Sequence, residues 1–264
     1  MEGPTRYLKT VIDDKKAVSD MYKKVKNSGL RDQELNMYYV SASLKGQSYD
    51  MGRMMAFTPG WLENQSIWMH MSYKYYLELV RGKLYDEFFS EMRGGGMLPF
   101  MDPSKYGRSL MECSSFLASS AFSDPSFHGR GFSARLSGST AEFLSIWKHM
   151  FIGSDPFFLD DNGVLKMQLK PVLPLWLFKD DSNDTADPTY DDNGVLTISF
   201  KLFAHIPVTY HNSLETDLFD VAPYSYTVLM TDGTKHNIES SEIPTALALS
   251  IRKLYDVVSI DAYF

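Results

Sequence analysis

Hydrophobic and polar positions follow two different periods along the chain. From about residue 31 to residue 178 the apolar residues have helical spacing, with long interruptions rich in Gly, Pro and Ser. From about residue 180 to residue 264 they alternate with polar residues in short stretches, which is typical of β-strands. A polar stretch at 179–188 separates the two patterns and is predicted to be a linker. We therefore predict two domains, residues 1–178 and residues 179–264.

Three segments of the first region carry a helical pattern. Residues 64–80 are apolar or aromatic nearly all round, which predicts a helix buried on most of its surface and ended by Gly82. Residues 84–92 predict a second, more amphipathic helix. Residues 139–142 fit a capping box, which predicts a third helix that continues to Gly153.

A long interruption, residues 94–135, lies between the second and third of these helices. A segment of roughly forty residues inside a compact domain is usually either functional or disordered. Many apolar side chains within it favour a packed, functional loop over disorder. These anchors are Phe100, Met101, Tyr106, Phe116, Leu117, Phe122, Phe127 and Phe132.

The pattern of the second region predicts β-strands. Residues 196–202 alternate with period two and predict a half-buried strand. Residues 205–210 continue in that style, and Pro207 predicts a position near a sheet edge. Residues 226–230, followed by an Asp-Gly pair, predict a strand that enters a hairpin.

Composition narrows the classes of function. The net charge of −7 and the absence of a basic stripe argue against a nucleic-acid partner. No apolar run reaches the ~18 residues that a membrane span needs, so no membrane partner is expected. The single cysteine, Cys113, cannot form an internal disulfide and suits a cytoplasmic location. The six His lack ligand spacing, so neither a metal nor an organic cofactor is predicted.

Residues 128–140 form the first candidate site. A Gly-rich approach leads directly into a predicted helix start, where unpaired N–H groups and the helix dipole favour an anion. Ser137 and Gly138 would let a ligand approach the backbone. Three cationic side chains are close in sequence: His128, Arg130 and Arg135. An ordinary capped helix after a surface loop explains the same pattern, and this alternative stays open.

Residues 58–70 form the second candidate site. A Pro-Gly turn leads polar and aromatic groups into the buried helix, and His70 lies within the apolar stretch. A lone histidine there is more often a core residue than a functional one. Glu63 has the same ordinary alternative, an acid at a helix start.

Both stretches resemble glycoside hydrolase family 94, the cellobiose and chitobiose phosphorylases. Thr-Pro-Gly-Trp-Leu-Glu-Asn at 58–64, followed by His70, resembles the Pro-Gly…Glu-Asn-Gly…His segment of that family. Arg-Gly-Phe…Leu-Ser-Gly-Ser-Thr-Ala at 130–141 resembles its Thr-Gly-Thr/Ser-Ala segment, and residues 165–176 resemble the segment that closes its barrel. The sequences of these segments resemble still more closely the long phosphorylases of β-1,3- or β-1,2-glucans that are related to that family. The resemblance covers roughly residues 50–264.

The resemblance implies a fold and a reaction. The fold would be the C-terminal part of an (α/α)6 barrel followed by a small antiparallel β-sandwich-like domain. The reaction would be reversible phosphorolysis of β-linked gluco-oligosaccharides with inversion, giving α-glucose 1-phosphate. Phosphate then replaces the water and the general base of an inverting hydrolase, so one protein carboxylic acid is sufficient. Phosphate is a substrate here and not a cofactor.

The resemblance also assigns residues. The phosphate-binding positions map to His70, Ser137 and Gly138, with Ser137 in place of the family Thr. The substrate-binding positions map to Glu63, Asn64 and Gln65. Gln65 stands where the family has Gly, which is expected to reshape the sugar site.

The general acid has no counterpart in this chain. The family Asp lies well upstream of the Glu-Asn motif, and neither Asp32 nor Asp50 has the expected surroundings. We therefore expect a fragment of a hexosyltransferase that is inactive alone and pairs with a second copy or with the missing N-terminal part. A cut barrel would expose apolar faces on residues 5–80. The alternative is a non-catalytic carbohydrate-binding remnant.

Overall fold

The computed structural model describes residues 1–112, 116–132, 137–179 and 187–264; for residue 111 and residues 137–140 the description is of the backbone alone. The chain divides into two compact units, Met1–Trp147 and Lys148–Phe264. The predicted domains, 1–178 and 179–264, stay a prediction, and most of their linker, residues 180–186, lies outside the described residues.

Helices dominate the first unit. The α-helices of the described ranges are α1 (Glu2–Thr10), α2 (Lys15–Lys26), α3 (Met69–Arg81), α4 (Tyr85–Glu91), α5 (Leu98–Met101), α6 (Pro103–Tyr106), α7 (Ser137–Ile152) and α8 (Thr245–Lys253). A π-helix at Met92–Gly96 follows α4, and 3₁₀ helices occur at Tyr49–Ala56, Leu110–Glu112, Pro125–Phe127 and Leu175–Leu177.

Strands occur in both units: the four short strands before residue 118 belong to the first unit and the others, like α8, belong to the second. In the described ranges they are β1 (Arg31–Asp32), β2 (Met37–Tyr38), β3 (Ile67–Trp68), β4 (Phe116–Leu117), β5 (Phe157–Leu159), β6 (Leu165–Met167), β7 (Val172–Leu173), β8 (Thr189–Tyr190), β9 (Leu196–Leu202), β10 (Ile206–Asn212), β11 (Leu218–Phe219), β12 (Ser225–Met230), β13 (Lys235–Ile238) and β14 (Val257–Tyr263).

The buried helix of the first unit is α3. Most of its side chains are buried, as the sequence predicts, and Gly82 forms its C-cap. The helix begins at Met69, later than predicted, because Ile67 and Trp68 pair with β4 as a short strand. Helices α1 and α4 pack against α3, and Leu8 of α1 is fully buried. This packing gives α3 a rigid position.

The loop between β4 and residue 132 is packed. The buried carboxylate of Asp32 accepts hydrogen bonds from the backbone N–H and the hydroxyl of Ser120, each at 2.8 Å. His128 joins the carboxylate of Glu34 to the backbone oxygen of Phe122, also at 2.8 Å. The expectation of a packed loop is confirmed for these described residues, whereas its function stays a prediction.

The second unit contains a six-stranded mixed sheet in the order β13-β12-β14-β10-β9-β8. Strands β10 and β14 are parallel and the other neighbours are antiparallel. Helix α8 connects β13 to β14 and buries Leu247, Ala248 and Ile251. The predicted strand at 196–202 and the predicted Asp-Gly hairpin are confirmed as β9 and as the β12–β13 pair.

The predicted edge position of Pro207 is wrong. Strand β10 lies inside the sheet, between β9 and β14. Pro207 pairs with Lys201 of β9, but the pairing with β14 begins only at Val208. Proline is tolerated because it lies at the strand start, where β10 has a single neighbour.

The predicted fold class is wrong. The described residues have a mixed α/β fold and do not form part of an (α/α)6 barrel. Between α4 and α7 the described segments contain only short helical turns, whereas a barrel needs long paired helices there. The main sheet of the second unit is likewise mixed and not part of an antiparallel sandwich, because α8 returns the chain so that β14 runs parallel to β10; two further sheets, β5-β6 and β7-β11, have two strands each.

The expected apolar faces on residues 5–80 are absent. Among these residues, all of which are described, the exposed large apolar side chains are Tyr7, Tyr49 and Met51.

Candidate functional site

His70 is the second residue of α3, directly after the short strand β3. The N-cap residue, Trp68, has no side chain that caps the helix. The first N–H groups of a helix have no partner within the helix, so this end offers free donors. The sequence therefore places a half-buried histidine at the positive end of a long helix.

The imidazole of His70 is held without a hydrogen bond. Its Nδ1 atom is buried and has no partner, and the ring lies edge-on to Trp68 with 5.4 Å between centroids. Burial lowers the pKa of His70, the nearby ammonium of Lys74 lowers it further, and the carboxylate of Glu142 opposes both. His70 is consequently neutral at neutral pH and carries one N–H group, which can donate a hydrogen bond to a ligand oxygen.

Ser137 and Gly138 are the first described residues of α7, and residues 133–136 before them lie outside the described residues. The anion site at this helix start stays a prediction. The predicted capping box is wrong, because the helix begins at Ser137 rather than after residue 139. Glu142, the acid of that box, has a buried Oε2 atom without any hydrogen-bond partner.

Helices α3 and α7 contact each other through aromatic side chains of their second turns. The ring of Tyr73 lies 5.4 Å from that of Phe143, and Phe143 stacks on Phe100 at 4.9 Å. Tyr73 follows His70 by nearly one helical turn, and Phe143 follows Glu142 directly. A shared phosphate site of His70 with Ser137 and Gly138 stays a prediction.

The predicted sugar-binding residues lie in the turn that precedes β3. Glu63 forms an ion pair with the exposed Arg53. The amide nitrogen of Asn64 donates to the backbone oxygen of Phe57 at 2.8 Å, while its Oδ1 atom is buried without a partner. Asn64 thus holds the turn with one end of its amide and offers a free acceptor with the other.

Gln65 has a left-handed backbone, with φ of 54°. Glycine adopts this conformation without steric cost, so a residue other than glycine is strained at this position. The turn also needs Gly60, whose φ is 82° and where an added Cβ atom would lie 2.2 Å from the backbone nitrogen of Phe122. The Pro-Gly motif is therefore explained by close packing against the 116–132 loop.

The cationic residues near the first candidate site have other partners. Burial lowers the pKa of His128, but its hydrogen bonds to the backbone oxygen of Phe122 and to the carboxylate of Glu34 outweigh burial and raise it. Arg130 is exposed and donates to the backbone oxygen of Ser126. Arg135 lies outside the described residues. The cation that the structure does place beside His70 is Lys74.

Two residues of this cluster were not selected from the sequence. Lys74 was not selected because its pattern is that of any solvated lysine on a helix, and Glu142 was not selected because it fits a capping box. A spacing of one helical turn between His70 and Lys74 could have indicated the first. No local signal could have indicated the second, since its environment comes from a contact between distant helices.

The described residues contain no group of three or more His, Cys, Asp or Glu side chains arranged to hold a metal ion. Within the same ranges, none of the helices has both the length and the apolarity that crossing a bilayer requires.

The chain matches no known protein-family model and no curated protein sequence. The resemblance to glycoside hydrolase family 94 therefore stays a prediction that depends on the two motifs.

Proposed function

We propose that this chain contributes the phosphate-binding residues of an inverting phosphorylase that acts on β-linked gluco-oligosaccharides. The observation that supports the proposal is the buried Nδ1 atom of His70 at the start of α3, which has no hydrogen-bond partner, on a helix that packs against α7 through Tyr73 and Phe143. Free N–H groups and two positive dipole ends suit a tetrahedral oxyanion.

The chemistry of the cluster agrees with that role. A neutral imidazole and backbone amides hold phosphate by hydrogen bonds without removing all of its charge, so the anion stays nucleophilic toward an anomeric carbon. The unpartnered Oδ1 atom of Asn64 is a suitable acceptor for a sugar hydroxyl. No residue of this chain is assigned as the general acid. The acidic composition and the single cysteine favour a cytoplasmic location, and association with a second copy or another chain belongs to the same proposal.

Binding is the decisive readout, because the proposal assigns no acid to this chain. Inorganic phosphate would be titrated into the full chain by calorimetry, with and without glucose. We expect saturable binding, reduced in His70→Phe by about tenfold, because phenylalanine keeps a ring but has no N–H group to donate to the anion. His236→Phe is the matched control, since His236 lies exposed on β13. Equal phosphate affinity in the two variants would reject the site.

Turnover supplies a second readout. Phosphate release from α-glucose 1-phosphate would be followed with glucose, cellobiose, laminaribiose and sophorose as acceptors. No release is expected from this chain alone, because no residue is assigned as the general acid; release would show that the chain holds one. Sugar binding without any phosphate binding would favour the carbohydrate-binding alternative.

That alternative has one observation in its favour. The open face of the six-stranded sheet carries paired hydroxyl and amide groups, with Thr227 bonded to Asn237 at 3.2 Å and Ser199 to Thr209 at 2.9 Å. Tyr224 is 62% exposed and its ring lies 6.5 Å from that of Tyr263. Such a surface offers both stacking and hydrogen bonding to a glycan.

A further inference from the structure

His128 is a buried histidine whose two ring nitrogens both face hydrogen-bond acceptors. Its Nδ1 atom lies 2.8 Å from a carboxylate oxygen of Glu34, and its Nε2 atom lies 2.8 Å from the backbone oxygen of Phe122. An ionised carboxylate and a backbone carbonyl only accept hydrogen bonds, so both ring nitrogens must donate. An imidazole that donates from both nitrogens carries two protons and a positive charge. The geometry therefore requires His128 to be protonated in this arrangement.

Three carboxylates attract this imidazolium. Glu34 contacts the ring directly, Asp32 lies on the preceding strand β1, and Asp124 precedes the 3₁₀ helix that ends just before His128. Burial lowers the pKa of His128, but the hydrogen bonds to Phe122 and Glu34, together with the charges of the acids, raise it by more. The charges therefore favour the same protonation state as the hydrogen bonds do.

The cations on the neighbouring elements have other contacts. Arg130 donates to the backbone oxygen of Ser126. The side chain of Lys105, on α6, packs against Gly129, where an added Cβ atom would lie 3.2 Å from Lys105 Cε. The hydrogen bonds of the His128 ring thus go to acceptors alone.

The ring holds the loop tip, which we define as residues 121–128. The middle residues of the tip are exposed, and the backbone N–H groups of Phe127 and His128 bond to oxygens inside the tip. Nε2 of His128 closes the tip on itself, and Nδ1 ties it to Glu34. The base of the loop is held separately, because Ser120 bonds to Asp32 through both its backbone N–H and its hydroxyl.

The tip covers the turn that carries the predicted sugar-binding residues. The ring of Phe122 lies 5.4 Å from that of Trp61, and the ring of Phe127 lies edge-on to Phe122 at 5.8 Å. Gly60 is so close to the tip that an added Cβ atom would lie 2.2 Å from the Phe122 backbone nitrogen. Movement of the tip would therefore uncover Trp61 and one side of the turn.

We propose that His128 is a proton-dependent latch, which holds the loop tip over the Gly60 turn while its ring carries two protons and releases the tip when one proton passes to water. A neutral ring has one N–H group, so it must give up the hydrogen bond to Glu34 or the one to Phe122. The tip should be closed below about pH 6.5 and should be released as pH rises through the raised pKa of His128. The latch does not require phosphate, so it can fail without affecting the proposed function.

The test begins with the unaltered full chain, studied by NMR between about pH 6 and pH 10. The ring resonance of His128, assigned by its loss in His128→Gln, gives the midpoint of proton loss. Hydrogen exchange of the Phe127 amide, corrected for the intrinsic rate at each pH, reports the state of the tip. We expect this protection to fall at least about tenfold at the midpoint of the ring, the value of one hydrogen bond to a charged group. The amide of Ser120, at the base of the loop, should keep its protection.

The variant Glu34→Gln tests the carboxylate. Its amide oxygen can still accept from the ring, but the charge that favours the protonated ring is lost, so both midpoints should fall by about one pH unit or more. Glu239→Gln makes the same chemical change at an exposed position of the second unit and should leave both midpoints unchanged. In His128→Gln the exchange of Phe127 should show no step with pH. Circular dichroism checks the fold, and the unaltered chain decides the matter if a variant does not fold.

Three outcomes would overturn the latch. The first is constant protection of the Phe127 amide across the pH range, whether or not the ring loses its proton. The second is an equal midpoint in Glu34→Gln and in the unaltered chain. The third is a loss of protection at Ser120 together with Phe127, which would mean that the loop opens as a whole rather than at its tip.

Discussion

Glu91 anchors a buried charged cluster behind α3, and its removal should be strongly destabilising. Its carboxylate is fully buried and accepts from Tyr22 Oη at 2.8 Å. Nη1 of Arg31 donates to both carboxylate oxygens, at 3.0 and 2.9 Å, and the Arg31 side chain is only 10% exposed. The variant Glu91→Gln keeps the shape but leaves the guanidinium without a counter-charge.

The magnitude follows from that burial. Breaking a buried ion pair by removing one partner costs about 3–5 kcal/mol, because a charge stays buried without compensation. A whole domain is stable by only about 5–15 kcal/mol. We therefore expect Glu91→Gln to lose a large part of the stability of the first unit.

Urea unfolding followed by circular dichroism measures the change. Glu87→Gln, on the same helix but half-buried, is the matched control and should change the free energy of unfolding by less than about 1 kcal/mol. The double variant Arg31→Met with Glu91→Leu removes the two buried charges. Lys26, whose Nζ lies 3.4 Å from Glu91 Oε1, is 39% exposed and still donates to Tyr22 Oη at 2.8 Å. It should be markedly more stable than Glu91→Gln. A loss below about 1 kcal/mol in Glu91→Gln would refute the reasoning.

Three further predictions concern the turn, the core and the sheet. Gly60→Ala should lower the free energy of unfolding, measured by thermal unfolding, by about 3 kcal/mol or more. The added Cβ atom would meet the Phe122 backbone, and residue 60 has a left-handed backbone. A free energy of unfolding equal to that of the unaltered chain would contradict this packing. Tyr76→Phe should stabilise by about 1 kcal/mol in urea unfolding, since its buried hydroxyl has no partner; a clear loss would mean that the hydroxyl is bonded. His211 bonds two aspartates, Asp261 foremost, which raise its pKa against the effect of burial. The stability that protonated His211 contributes to the folded chain should be complete below about pH 6.5 and should be lost as pH rises through the raised pKa. Urea midpoints against pH check this, and an unchanged profile in Asp261→Asn would contradict it.

Local patterns in the sequence predict the elements that depend on neighbouring residues. The buried helix α3 follows from an apolar run ended by Gly82, and β9 follows from strict alternation. The β12–β13 hairpin follows from its Asp-Gly turn. Each of these signals lies within a few residues of the structure that it specifies.

Long-range pairing is what the sequence did not reveal. The parallel contact of β10 with β14 joins residues that are far apart in the chain, and it depends on α8, which lies in a region read entirely as strands. The barrel was inferred from resemblance, and no local pattern could test its closure. The same limit applies to the site, because the environment of Glu142 is created by the packing of α7 against α3.

The most direct test of the central claim is the NMR titration of the His70 imidazole, with its resonance assigned by its loss in His70→Gln. In the free protein His70 should titrate below the ordinary histidine range, because burial and Lys74 lower its pKa. Saturating inorganic phosphate should raise that pKa, because an adjacent anion favours the protonated ring, and should leave the other histidines unchanged. A His70 resonance and pKa that do not respond to saturating phosphate would contradict the account.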